Sequence, residues 1–125
     1  ITIRDGRFQA QVDLAHLHEL PLSSICGLFR LIYKAPAEHR EAIKALESWI
    51  LAAIKRGQED VDAAARAYRD QYRAVSPYSR SVADHNQRRL NNDLRRHMWE
   101  TETHVKRLCK IQAALTSEAE KIRKD

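Results

Sequence analysis

The chain has 125 residues, of which 43% are hydrophobic and 31% charged; this suits one folded domain and excludes disorder along the whole length. Its longest apolar region, Leu28 to Tyr33, is interrupted by Arg30, so no stretch approaches the roughly 18 apolar residues that suggest a membrane-spanning helix. The net charge is +5, and segment 63–99 accounts for all of it with eight arginines and three acidic residues.

Residues 1–14 are predicted to form a short β-hairpin. Ile1 and Ile3, and then Phe8, Ala10, Val12 and Leu14, alternate with mostly polar residues around the turn signal Asp5-Gly6. A two-stranded ribbon is marginal alone. We therefore expect it to lean on the helices, to add to another sheet, or to be a remnant of neighbouring sequence.

Leu22–Tyr33 is predicted to be the most buried helix, because Ile25, Phe29 and Ile32 recur on one face. A strand over Ile25–Tyr33 is the alternative, since the run is short, rich in aromatic residues and contains Gly27.

Two further helices are predicted on either side of Gly57. The first starts near Pro36 and ends at Lys55, Arg56 and Gly57, which look like a helix C-terminus. The second starts at Glu59 and runs to Val75, with Tyr68 and Tyr72 facing inward. The short connection predicts an antiparallel helical hairpin.

The last helix is predicted to begin with Ser76 as its cap and Pro77 in its first turn, and to reach Arg123. It carries an apolar seam with a period of 3.5 residues, which is typical of helix pairing. The seam consists of Leu94, Met98, Thr101, Val105, Leu108, Gln112, Leu115, Ala119 and Ile122.

The predicted helical hairpin is too short to cover the whole seam. Pro36–Gly57 would span about 30 Å, and a last helix of this length roughly 70 Å. Either two chains pair through the seam, or the helix breaks near Asn91-Asn92 and folds back. The expected interface residues are Leu94, Met98, Trp99, Val105, Leu108, Leu115 and Ile122.

Acidic residues four positions before a basic one should form ion pairs that stabilise the exposed surface of this helix. The pairs are Asp84–Arg88, Asp93–His97, Glu100–His104, Glu102–Lys106 and Glu120–Lys124.

The predicted fold class is all-α: a four-helix bundle-like domain with a helical hairpin, a long heptad-patterned C-terminal helix and a short N-terminal β-hairpin. Residues 1–125 form a single domain, divided into a possible hairpin arm (1–15), a helical core (21–75) and the long helix (76–124). Cys26 and Cys109 lack a CxxC spacing, which favours free thiols and a cytoplasmic location.

No catalytic residue, metal site or cofactor is predicted. The chain has only three glycines and no phosphate-binding loop, nucleophile elbow or HExxH motif. His97 and His104 share a helix face but stand about 10 Å apart along the axis, too far for one ion. Glu100 with His104 could bind a metal only with ligands from elsewhere, such as Cys109 or His16 and His18; surface ion pairs are the alternative reading.

Arginines on one side of the third and last predicted helices give the strongest functional indication. They repeat at helical spacings, and amide side chains lie between them on the last helix. Arginine suits bidentate phosphate contacts. We call the following residues the arginine face, the predicted nucleic-acid contacts: Arg66, Arg69, Arg73, Arg88, Arg89, Asn92, Arg95 and Arg96.

The sequence therefore predicts a non-enzymatic helical interaction module that self-associates through its last helix and presents the arginine face to nucleic acid. The alternative is a protein–protein adaptor or assembly subunit whose seam binds a partner helix, with no nucleic-acid role. The expected partners are thus nucleic acid and either a second copy or a helical protein, and not a membrane.

Overall fold

A computed structural model describes residues 1–124, and the side chains of residues 1–122. Its elements are strands β1 (Thr2–Asp5) and β2 (Phe8–Gln11), a 3₁₀ helix (Leu14–Glu19), and helices α1 (Leu22–Lys34), α2 (Arg40–Gln71) and α3 (Val82–Lys124). Helix makes up 75% of the chain, so a mostly helical fold with a short N-terminal hairpin is confirmed. The described residues contain three α-helices where four were predicted.

The predicted N-terminal hairpin is confirmed, but its two turn residues are Gly6 and Arg7 and not Asp5 and Gly6, because Asp5 still belongs to β1. β1 and β2 pair antiparallel, with Ile3 opposite Ala10 and Asp5 opposite Phe8. Gly6 has a φ of 60°, the left-handed backbone that glycine adopts without steric penalty. The hairpin packs against the helices, since Ile3 is buried in the same core as the apolar residues of α1.

α1 is a helix and not a strand. Its residues Ile25, Phe29 and Ile32 are all almost completely buried, as the helical spacing predicts. Pro21 immediately precedes the helix, where the missing N–H of proline is harmless.

The prediction that Gly57 ends a helix was wrong. α2 continues through it from Arg40 to Gln71, so the expected hairpin between two shorter helices does not exist. An interior glycine costs only about 1 kcal/mol relative to alanine, and the flanking residues on both sides favour helix. Lys55 and Arg56, read as a C-terminal signal, are exposed positions on a continuing helix.

The predicted start of the last helix was also wrong. Ser76 and Pro77 lie in a ten-residue connector, residues 72–81, and α3 begins at Val82. The Ser81 hydroxyl accepts a hydrogen bond from the Asp84 backbone N–H at 3.1 Å, which makes Ser81 the N-cap. From there α3 is continuous, without a break at Asn91-Asn92.

The chain divides into two compact units, and α2 and α3 contribute to both. The first unit comprises Ile1–Ile54 and Lys106–Asp125, and the second comprises Lys55–Val105. The first contains the apolar core: Ile3, Leu17, Ile25, Phe29, Ile32, Tyr33, Leu46, Ile50, Leu108, Ile111 and Leu115. In the second, Ala64, Asn91 and Leu94 are the buried side chains.

The seam of α3 is largely covered by the chain itself. Leu108 and Leu115 are buried in the first unit and Leu94 in the second, while the other seam positions are half-buried. The predicted need for a second chain or a broken helix rested on a short covering helix, and α2 has 32 residues. Ile111, outside the predicted seam, is completely buried, because a helix of 3.6 residues per turn drifts from a 3.5-residue repeat.

Two of the acidic residues predicted to form ion pairs along α3 have other partners. Asp84 accepts a hydrogen bond from the Ser79 hydroxyl, and Asp93 lies 4.0 Å from Arg96 instead of pairing with His97. The pair predicted between Glu120 and Lys124 lies outside the described side chains.

Candidate nucleic-acid interface

Folding of the second unit brings the two arginine-rich segments to one end of a helix pair. The Asn91 amide, on α3, donates to the Arg73 carbonyl at 2.8 Å and accepts from the Arg73 N–H at 3.4 Å. Gln87, one turn earlier, donates to the Gln71 carbonyl at 3.0 Å. These bonds satisfy backbone groups where α2 ends, and they place the first turns of α3 beside the last turn of α2.

Arg88 holds the connector in place. Its guanidinium group donates to the Ser76 carbonyl at 2.7 Å and to the Ser79 carbonyl at 2.6 Å. The connector also makes its own turn, with the Ser79 N–H bonded to the Ser76 carbonyl at 3.2 Å. Arg88 is half-buried, so this predicted nucleic-acid contact also has a structural task.

Arg95 belongs to an aromatic stack. The rings of Tyr68 and Tyr72 lie 4.8 Å apart and are inclined by 26°. The Arg95 guanidinium carbon lies 5.4 Å from the centre of the Tyr72 ring, and its Nη2 donates to the Tyr72 hydroxyl at 3.1 Å. Hydrogen bonding to Tyr68, followed by the nearby Tyr72 and Tyr68 hydroxyls, raises the pKa of Arg95 further above its ordinary value. The Arg95 side chain, although exposed, is thus oriented by the Tyr72 ring and hydroxyl.

Every member of the arginine face except Arg88 is exposed. Arg69 lies 3.6 Å from Asp70, and Arg96 pairs with Asp93 at the limit of contact; exposed pairs of this kind contribute little. Arg66 and Arg89 have no hydrogen bond or ion pair within the described residues. Asn92 and Arg73 are exposed beside them, so most of the face is available to a ligand.

Two features of this surface were not among the predicted contacts. Arg80, in the connector, is exposed, and Tyr78 is 90% exposed at the turn between Pro77 and Ser79. Trp99, a predicted interface residue, is 66% exposed on α3, three and four residues beyond Arg96 and Arg95.

The predicted interface residues on α3 fall into three groups. Leu94, Leu108 and Leu115 are buried within the chain, Met98, Val105 and Ile122 are half-buried, and Trp99 is exposed. Burial of the three leucines removes the physical reason for expecting a partner helix on the seam. Trp99 is the member that a partner could reach without rearrangement.

Acidic and histidine side chains of α3 come together at one cleft. In the second unit His97, Glu100, Thr101 and His104 line a cleft of about 170 Å³ with Gly57 and Asp60. Within the described residues no three His, Cys, Asp or Glu side chains are close enough to hold an ion. Cys26 is half-buried and Cys109 exposed, and both are free thiols.

No protein-family model matches the chain, and comparisons with curated proteins and with solved structures find no match. In the described part of the chain, no helix is both long and apolar enough to cross a membrane.

Proposed function

We propose that this protein is a non-enzymatic nucleic-acid-binding module that contacts its ligand through the arginine face of the second unit. The observation that carries the proposal is the convergence of two arginine-rich segments, one on each side of the connector, which Arg88 holds by hydrogen bonds. A basic patch assembled on one face is the usual electrostatic footprint of such proteins.

The chemistry of the face favours phosphate as the ligand. Segment 63–99 contains eight arginines and no lysine, and the planar guanidinium group matches two phosphate oxygens at once. Arg66, Arg89 and the connector residue Arg80 are exposed without protein partners in the described residues. Asn92 adds an amide that can donate to sugar or base oxygens.

The exposed aromatic rings favour unpaired bases. Tyr78 is 90% and Trp99 66% exposed, and each ring can stack on a base without sequence preference. Rings of this kind cannot stack inside an intact duplex. We therefore expect single strands to bind more tightly than double strands.

The competing candidate is a protein–protein adaptor, and the exposure of Trp99 is the observation in its favour. A large exposed aromatic ring can anchor a protein interface. In this case the arginines would serve solubility or pair with acidic residues of the partner. Self-association through α3 remains a prediction, and Trp99, which lies beside the seam, is the exposed residue among its predicted contacts.

Anisotropy of labelled single- and double-stranded oligonucleotides, titrated at several salt concentrations, tests the proposal. The variant Arg66→Gln/Arg80→Gln/Arg89→Gln avoids Arg88 and Arg95, whose side chains support the fold. If each arginine contacts one phosphate, the slope of log affinity against log salt should fall by about 2 units on single strands.

The matched control is Lys44→Gln/Lys55→Gln/Lys110→Gln, which removes the same charge from exposed positions outside the arginine face. It should keep nearly the full slope. Equal losses in both variants would mean non-specific attraction to a basic protein. No binding by the unmodified chain at low salt would reject the nucleic-acid proposal and leave the adaptor.

A further inference from the structure

The outer edge of β2 has unpaired backbone groups. Ile1 and Val12 exchange two backbone hydrogen bonds, at 2.7 and 2.8 Å. Because hydrogen-bonded and non-hydrogen-bonded pairs alternate in an antiparallel ladder, Gln9 and Gln11 point their N–H and C=O groups away from β1. Within the described residues neither N–H finds an acceptor.

The other edge of the hairpin is covered. The Arg4 N–H, which points outward from β1, donates to His39 Nε2 at 2.8 Å. His39 is buried, and its Nδ1 is 2.9 Å from the Ala35 carbonyl oxygen. β2, by contrast, is exposed along its whole length.

β2 also lacks the devices that normally block an open strand edge. Its sequence, Phe8-Gln9-Ala10-Gln11, has no charge and no proline, and natural edge strands usually carry one of these. Phe8 is 81% exposed, although a phenylalanine side chain gains from burial.

We propose that β2 pairs antiparallel with β2 of a second copy of this chain, forming a continuous four-stranded sheet across a two-fold axis. The strand is self-complementary when Ala10 lies opposite Ala10. In this register Gln9 bonds to Gln11 of the second copy, and Phe8 lies opposite Val12.

Charge complementarity supports the same register. Arg7 lies in the turn before β2 and Asp13 caps the 3₁₀ helix that follows Val12, both exposed, and pairing about Ala10 brings Arg7 of each copy towards Asp13 of the other. Opposite charges across a strand pair are favourable, and like charges are unfavourable. The pairing of a strand with itself thus joins apolar to apolar residues and basic to acidic ones.

The interface differs from the seam predicted on α3, and it is independent of nucleic-acid binding. Two short strands bury less surface than the roughly 1,200 Å² of a stable complex. We therefore expect a weak dimer, with a dissociation constant on the order of 100 μM. It would be populated at high protein concentration or when a ligand holds two copies together.

Register-specific crosslinking tests the proposal. In a Cys26→Ser/Cys109→Ser background, Ala10→Cys should form a disulfide dimer under mild oxidation, because the two Cα atoms would lie about 4.5 Å apart. Gln9→Cys is the matched control: its copies would be about 8 Å apart, beyond disulfide reach. Absence of the Ala10→Cys dimer, or equal crosslinking of both variants, would overturn the proposal.

Sedimentation velocity of the unmodified chain over about 5 to 300 μM provides an independent measurement. Gln9→Pro removes an outward N–H without touching the intrachain ladder and should leave a monomer at every concentration. Gln9→Thr keeps the N–H and should still dimerise. A dimer that survives Gln9→Pro forms through another surface, and a chain that stays monomeric throughout does not pair through β2.

Discussion

The two units share the helices α2 and α3 but are stabilised by different interactions. In the described part of the first unit, eleven buried apolar side chains pack together, several with no exposed surface. The second unit buries few side chains and has hydrogen bonds from α3 to the last residue of α2 and to the backbone of the connector. Apolar burial tolerates small shifts, whereas hydrogen bonds require defined geometry. One pair of helices thus combines a stable core with a surface shaped by polar contacts.

Leucine-to-alanine substitutions at two positions of α3 should show the largest difference between the units. Leu108 is 1% exposed in the apolar core and Leu94 is 8% exposed in the second unit. Loss of a buried leucine destabilises by about 2–5 kcal/mol, depending on how tightly its surroundings pack. We expect Leu108→Ala near the upper limit and Leu94→Ala near the lower one in urea unfolding.

Leu51→Ala provides the control, because Leu51 is 62% exposed and exposed substitutions usually change stability by less than about 0.5 kcal/mol. Equal losses at Leu94 and Leu108 would show that the second unit has an apolar core as effective as the first.

Asn91→Ala should have the next largest effect. The substitution leaves the Arg73 N–H and carbonyl without their partner and should destabilise by about 1–3 kcal/mol. Hydrogen exchange at the end of α2 and in the connector should accelerate more than exchange in the first unit.

Asn92→Ala is the matched control, since Asn92 is the exposed neighbour and its loss should leave exchange unchanged. If hydrogen exchange is also unchanged in Asn91→Ala, the hydrogen bonds at the end of α2 do not stabilise the second unit.

Arg88→Ala should have the smallest effect on global stability. It removes the donors to the Ser76 and Ser79 carbonyls, which water can then reach, so we expect a loss of about 1 kcal/mol or less. The connector should nevertheless open locally and be cut faster in limited proteolysis. Arg89→Ala, at the adjacent exposed position, is the control: its connector should be cut at the same rate as that of the unmodified chain.

Several features followed from local sequence alone. Alternation around Asp5-Gly6 predicted the hairpin, because strand residues alternate faces and glycine allows the turn. The spacing of Ile25, Phe29 and Ile32 predicted the buried face of α1. Clustering of arginines in segment 63–99 was visible in the composition.

Other features depended on tertiary structure. Whether α2 stops at Gly57 could not be read from local signals, since the small penalty of an interior glycine is outweighed when packing favours a longer helix. Ser76 was predicted to be the cap, but the cap is Ser81, and the bonds from Arg88 to the connector accompany this later start.

The arginines also show which properties follow from local sequence and which depend on tertiary structure. The sequence determined that a basic surface exists, because charge and helical spacing are local properties. Only the fold decided that Arg88 pins the connector and Arg95 packs on Tyr72, while Arg66 and Arg89 remain exposed. Those assignments depend on contacts between residues 9 to 23 positions apart, and a local pattern carries no information about such distances.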